Sequence, residues 1–343
     1  MTLHILYNFR DEPWGGGNQF LKALRAEWRE QGCYAESAEE ADVVFFNSYP
    51  FRAEHFFLDL YRLKKSFPNK RIVYRLNGPI SYIRNQDKTI DRIIKWFNSL
   101  LADGIIFQSN WCKERNNTLF GITSKNETVI HNAPDDSVFF SESEKQLHTP
   151  VRLIATSWSN NRRKGFDVYQ YLDEHLDFSR YQMTFVGNSP ISFNNIHVIE
   201  AVSSEKLAAI LKDHDIFITA SQTDPCSNAL IEALNSGLPA VTLNDGGHPE
   251  LVQHGGELFT STHDVIAAID RVRDAYQMYR STLPTFSIKD TADAYKIFAE
   301  QLQGEPKQVN LNTRLSFLLM MTYVFLWKTL RKPRALWKHL WTT

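Results

Sequence analysis

Short apolar runs alternate with segments of helical period along this chain, and the alternation stops once and then restarts. The first set of runs is Leu3–Tyr7, Val43–Phe46, Arg71–Arg75, Gly104–Gln108 and Thr128–His131. Between them, Phe20, Leu24 and Trp28 follow a glycine turn at Gly15–Gly17, and Ile90, Ile93, Ile94, Phe97, Leu100 and Leu101 fall on one helical face. Strand–helix alternation demands crossover connections and hence a parallel sheet. The polar stretch Ser141–Pro150 then reads as a linker. A second set follows at Leu153–Trp158, Met183–Val186, His197–Ile199, Ile216–Ala220 and Ala240–Leu243, with helices expected near 165–176, 205–212, 227–236 and 263–281. The expectation is an α/β protein of two Rossmann-like, doubly wound halves, residues 1–145 and 150–285, facing a cleft. Ligands bind such sheets beyond the carboxyl ends of the strands.

Composition narrows the function classes. With 343 residues the chain has room for two domains, and 43% apolar with 22% charged residues describes a folded protein. A net charge of −1 gives no general reason for nucleic acid as a partner. Cys33, Cys112 and Cys226 are scattered without a CxxC, which argues against a disulfide framework or zinc site and for a reducing compartment. The N-terminus reads as a first strand instead of a signal peptide, so a cytoplasmic location is expected. No histidine cluster, nucleophile elbow or P-loop is present. Asp213-His-Asp215 is formally a DxD, yet it lies where a helix leads into a strand and reads as structural.

The densest local signal is Asp224-Pro-Cys-Ser-Asn-Ala-Leu-Ile-Glu232, which continues to Gly237-Leu-Pro239. A strand ends near Ala220 and a helix starts near Ser227. The unpaired amides of that start, around Cys226, Ser227 and Asn228, suit a diphosphate. Glu232 lies five residues on, roughly 7–8 Å along the axis, where a carboxylate reaches a ribose hydroxyl edge. Asp224 precedes the helix, on the sugar side of the phosphate position. An ordinary amphipathic helix with a surface Glu and a turn Asp has the same spacing.

This stretch resembles the E-x7-E motif of the family 4 glycosyltransferases, which have the GT-B fold, with Asp224 in place of the first Glu. Gly246-Gly-His-Pro-Glu-Leu-Val252 is similar to the family's GG-x-PE-x-V loop and adds Gly247 and His248 to the donor side. The resemblance implies that Lys164, with Arg162 or Arg163, binds the donor diphosphate and meets the charge of the leaving group. It also implies that a glycine turn, here Gly16-Gly17, approaches donor phosphate and acceptor. Arg75-Leu-Asn77-Gly-Pro79 resembles an R-L-D-G-P stretch of some members, making Arg75 and Asn77 acceptor-side candidates. Asn188, after the strand ending Val186-Gly187, is a further donor-side candidate. The catalytic expectation is Asp224, Lys164 and Arg163, with no metal or other cofactor. The implied reaction is retaining sugar transfer from a UDP- or GDP-sugar. A sugar-nucleotide epimerase and a non-catalytic scaffold of the same fold are the rivals.

Residues 286–303 read as a closing helix that, by the same resemblance, crosses back to the first half. The tail, 313–343, differs from the body. From Arg314 onward it has six Lys/Arg and no acid, which leaves −7 on the remainder. Leu315–Trp327 is nearly all apolar but makes only about 20 Å of helix, short of a bilayer core of roughly 30 Å. Trp327, Trp337 and Trp341 alternate with Lys328, Arg331, Lys332, Arg334 and Lys338, a mix suited to an anionic headgroup layer. An amphipathic tail on the inner face of the plasma membrane is expected, with a lipid-linked or lipopolysaccharide glycan as acceptor. The alternative is that the tail packs against the body or a second subunit.

Overall fold

A computed structural model describes residues 1–11, 15–48, 50–51, 53–84, 87–141 and 145–340, the side chains of 331–340 excepted. The first half runs β1 (Leu3–Leu6), α1 (Gly16–Glu30), β2 (Val43–Phe46), α2 (Glu54–Ser66), β3 (Arg71–Leu76), α3 (Ile80–Arg84), α4 (Thr89–Leu101), β4 (Gly104–Phe107), α5 (Asn110–Phe120) and β5 (Glu127–Val129). The strands lie in the order β1-β2-β3-β4-β5, all parallel. Tyr34 makes a lone parallel bridge to Leu3, so the chain leaves α1 beside β1 before returning to β2. Winding therefore reverses at β1, and α1 and α2 cover opposite faces. The alternation of β2 follows: Val43 and Phe45 pack with Phe20, Leu24 and Trp28 of α1, whereas Val44 and Phe46 pack with Phe57 and Leu60 of α2.

The second half runs β6 (Val151–Ser157), α6 (Phe166–His175), β7 (Tyr181–Gly187), β8 (His197–Ile199), α7 (Ser204–Lys212), β9 (Ile216–Thr219), α8 (Asn228–Asn235), β10 (Ala240–Leu243), α9 (His248–Val252), β11 (Gly256–Phe259), α10 (Val265–Asp274) and α11 (Tyr276–Ser281). Its order, β11-β10-β9-β6-β7-β8, reverses between β6 and β9. That reversal opens a crevice at their carboxyl ends, the loops after Ser157 and Thr219. The sequence patterns missed β11, whose Gly256-Glu-Leu-Phe is too short and mixed to declare itself. The helix expected at 263–281 breaks at Ala275 into α10 and α11. Serine caps fix several helix starts: Ser109 accepts from Cys112 N, Ser203 from Lys206 N, and Ser287 from Asp290 N.

α12 (Ile288–Glu300) crosses to α1. Tyr295 is buried against Phe20, Trp28 and Phe45, and the Trp28 indole donates to Ala292 O at 3.2 Å. The chain then runs along the base of the first sheet. Lys307 N donates to Asp103 Oδ1 (2.7 Å), and the other oxygen of Asp103 holds the buried Lys64 ammonium at 2.7 Å.

α13 (Leu311–Leu340) docks on α4 and has two apolar stripes. The inner one buries Phe317, Met320 and Val324, with Phe317 stacked on Tyr61 and Trp327 on Phe51. Each fully buried side chain of this kind contributes about 1.5–3 kcal/mol. The outer stripe exposes Leu311, Leu315, Leu318, Leu319, Phe325, Leu326 and Leu330. One face of the helix thus packs against the body, the alternative held open for the tail, and the other is exposed. The side chains of Arg331, Lys332, Arg334, Trp337 and Lys338, and Trp341 altogether, lie outside the described residues.

Candidate functional site

Gly165 sets the first wall of the crevice. It has φ +83°, and a β-carbon there would lie 2.4 Å from Ala220 O, so the Arg162–Gly165 turn presses onto the end of β9. Lys164 is thereby brought to Asp224, Nζ to Oδ2 at 3.0 Å. Burial is the largest influence and raises the Asp224 carboxyl, but the Lys164 ammonium, His248 and the Cys226 amide together outweigh it, and the net direction is down. The pair is an ionised acid and base at the mouth of α8.

Glu232 has the opposite character. It is 9% exposed and no hydrogen-bond donor reaches its carboxylate among the described residues. Burial alone pushes it up to about 8. It lines a cavity of about 390 Å³ between the halves, with Asn228 and Ile231 from its own helix, Gly16 and Phe20 from α1, and Ser203 at the start of α7. A carboxylate stripped of water and left without donors is poised for hydroxyl groups of a ligand.

The sequence candidates separate on this geometry. Gly16 is held where a β-carbon would come within 2.5 Å of Asn228 Cβ, whereas Gly17 faces open space. Ser227 caps α8, its hydroxyl accepting from Leu230 N at 3.4 Å. Gly247 N donates to Asp224 O at 2.8 Å, which ties the GG loop to the acid. His248 is fully buried, held neutral by burial, with Nδ1 on Leu243 O (3.0 Å) and Nε2 without a partner among the described residues.

Five candidates need correction. Arg163 is taken up by protein acceptors, donating to Tyr82 O (2.6 Å) and Ile83 O (3.2 Å) at the end of α3 and to Thr223 Oγ1 (3.4 Å) beside Asp224. Arg162 is exposed, so a small turn displaces both arginines and leaves Lys164 as the fixed cation. Cys226 is buried with its thiol pushed up to about 12, and offers a ligand no side chain. Asn188 donates to Trp158 O (2.8 Å) in a second pocket, bordered by Gly187 and Ser189, apart from Glu232. Arg75 is 2% exposed and turned inward, not toward an acceptor. Asn77 is exposed beside it.

Two further groups acquire a role only from the structure. Glu250, the acid of the GG-x-PE stretch, reaches across to the start of α5. It accepts from Asn110 N (2.8 Å) and Trp111 N (2.7 Å) and lies 3.4 Å from His131 Nε2. Burial raises this carboxyl, but His131 and the amides hold it down at about 2. Asn132 bridges the halves through Asn228, Nδ2 to Oδ1 at 2.9 Å. Glu250 stands in the GG-x-PE stretch and Asn132 just beyond a strand run, and only their partners across the cleft reveal a role. Asp213 and Asp215, by contrast, sit at the amino end of β9, paired with Arg152 and His148. No three His, Cys, Asp or Glu side chains among the described residues are grouped to hold a metal.

Comparison with known proteins agrees with this architecture. Residues 193–283 match the family described as glycosyl transferases group 1. The chain is 25% identical over 227 residues to the phosphatidylinositol N-acetylglucosaminyltransferase GPI3 subunit of Saccharomyces cerevisiae, covering 57% of this chain and 49% of that one. It is 23% identical over 202 residues to N-acetyl-alpha-D-glucosaminyl L-malate synthase of Bacillus anthracis, covering 54% and 52%. The chain thus spans about half the length of the curated relatives it matches. Among solved structures, Anabaena HepE in complex with UDP and glucose superposes with a TM-score of 0.67 at 15% identity, over 88% of this chain and 99% of that one. The expected GT-B fold is borne out, and the resemblance to glycosyltransferases is supported where the group 1 domain model matches, over residues 193–283.

Proposed function

We propose that a chain with this domain transfers a sugar, with retention, from a UDP- or GDP-sugar to a membrane-associated glycan acceptor in cell-surface polysaccharide or lipopolysaccharide synthesis. The observation that carries the reading is the pair of opposed acids around one helix start. Asp224 is ionised against Lys164, and Glu232 is desolvated and unpartnered at the other side of the α8 amides. In this reading the diphosphate lies at those amides, Lys164 meets the charge of the leaving group, Glu232 accepts from the ribose hydroxyls, and Asp224 holds the sugar. The departing diphosphate takes the acceptor proton on the same face, and no metal is required. That HepE is a structure with UDP and glucose bound, and that both curated relatives are named for N-acetylglucosaminyl chemistry, supports a nucleotide-sugar donor.

The membrane part of the reading rests on the outer stripe of α13 and the basic tail. No helix among the described residues is long and apolar enough to cross a membrane. A helix clamped on one face and apolar on the other lies in the interface plane, with its cations on anionic headgroups.

Hydrolysis of UDP- and GDP-sugars by the protein, with Lys164→Ala and Glu232→Ala as controls and EDTA added in parallel, tests the enzyme. No turnover and no nucleotide binding with any donor overturns it. For the tail, removing 313–343 would strip Phe317, Met320 and Val324 from the core. The double variant Leu318→Ser, Leu319→Ser is the cleaner probe, expected to fold normally and lose flotation with anionic liposomes. Unchanged flotation counts against the membrane face.

A further inference from the structure

A buried cation stands behind the donor site with no acid paired to it among the described residues. Arg75, 2% exposed, ends β3 with its guanidinium over the Phe20 ring, 4.7 Å from the centroid. Its three acceptors are neutral: Tyr295 Oη at 2.9 Å from Nε, Asn47 Oδ1 at 3.0 Å from Nη1, and Asn132 Oδ1 at 2.5 Å from Nη2. No carboxylate pairs with it among the described residues. A guanidinium only donates, so the atom of Asn132 facing it must be the oxygen. The amide nitrogen of Asn132 then faces outward and donates to Asn228 at 2.9 Å, so the acceptor there must be the Asn228 oxygen. One amide end being fixed, the other follows. Asn228 turns its NH2 toward Gly16 and the cavity, where it has no protein acceptor among the described residues.

We propose that Arg75 and Asn132 are positioning residues that fix the polarity of Asn228, making it a donor to the diphosphate at the start of α8. The proposal rests on the nucleotide-sugar reading above and adds to it a group supplied from the opposite half. The relay starts on α12 at Tyr295, passes through β3 and the loop after β5, and ends on α8. Asn228 is a donor only while the halves meet, so diphosphate recognition is tied to closure of the cleft. The unneutralised charge of Arg75 acts in the same sense, favouring an anion at its far end.

Asn132→Asp is the decisive variant. Its carboxylate still accepts from Arg75, forming a buried ion pair, but now presents oxygen to Asn228 and turns that amide over. The Asn228 oxygen then faces the diphosphate. The measurement is the ratio of UMP to UDP dissociation constants, and of GMP to GDP, for the full-length protein, with the melting temperature alongside. Expected is a ratio lowered tenfold or more in Asn132→Asp without a lower melting temperature. Asn228→Asp, which places a charge beside the phosphates on a cavity-lining position, is expected to lower it at least as far. A merely structural role would weaken monophosphate and diphosphate equally or lower the melting temperature. Either of those results, or an unchanged ratio in both variants, overturns the relay alone. A wild-type protein that does not prefer diphosphate over monophosphate overturns the functional reading and the relay with it.

Discussion

The two walls of the cleft are built from different chemistry. The wall from the second half carries titratable groups on short loops and on α8: Lys164 and Asp224 paired at 3.0 Å, and Glu232 pushed up to about 8. The wall from the first half presents neutral donors and backbone: the α1 start at Gly16, Asn132 behind Asn228, and the α5 amides that grip Glu250. One wall supplies charge and the other sets its direction. Charges can be placed by a local motif, because a turn and a helix start suffice to bring them together. Orientation needs contacts between residues far apart in the chain, and the contacts of Arg163, Asn132 and Glu250 across the cleft span 80 to 140 residues.

The contrast can be broken most sharply at Lys164. If the second wall carries the charge of the leaving group, Lys164→Ala lowers kcat by about 10²–10³, the cost of losing one fixed donor to a developing anion. A loss confined to KM, read from steady-state donor hydrolysis, would instead make Lys164 a binding residue only. Next in size is Glu232→Gln, expected to weaken nucleotide binding by about 10- to 100-fold, the range for losing charge-assisted hydrogen bonds.

Glu232 also gives a pH signature. Its folded value, raised to about 8, means the acid is protonated near neutrality. Its contribution to stability is complete below the ordinary carboxylate range and is lost as pH rises through about 8. Ribose hydroxyls donate to the carboxylate form, so binding at pH 7 releases a proton and tightens as pH approaches 8. Calorimetry in buffers of different ionisation enthalpy checks this, and Glu232→Gln should abolish the buffer dependence.

Glu250→Gln tests the opposite wall. Replacing an acceptor-only carboxylate at the α5 amides should lower kcat/KM by about threefold to tenfold. Small-angle scattering should report a more open average shape, and an unchanged profile would remove Glu250 from cleft closure. The smallest effect is expected at Asn77. As an exposed residue, Asn77→Ala should leave stability within about 0.5 kcal/mol. A selective rise in acceptor KM would restore its acceptor-side role, whereas unchanged kinetics would leave the loop a structural turn.

Much of the fold was legible in the residues. Alternation of apolar runs with helical faces gave both parallel sheets, because strand and helix periods are local properties of the chain. The restart after Ser141–Pro150 gave two halves. Asp224 and Glu232 were legible as acids on either side of a helix start, whereas their roles and that of Lys164 came from the resemblance of the surrounding motifs. β11 was not, since four residues carry too little pattern.

What only the tertiary structure decided is where the side chains point. Arg75 looked like a cleft residue from its place after a strand, yet Phe20 and Tyr295, brought in by α1 and α12, turn it into the core. Arg163 looked like the natural partner of Lys164, yet the α3 carbonyls take it. α13 was legible as apolar and basic, but which stripe is buried depends on Tyr61 and Phe51 of the first half. The sequence by itself determined the elements and the charges at their ends, because these depend on neighbours along the chain. The orientation of amides and guanidinium groups, and so the polarity of the cleft, was decided only by partners that folding brings from elsewhere.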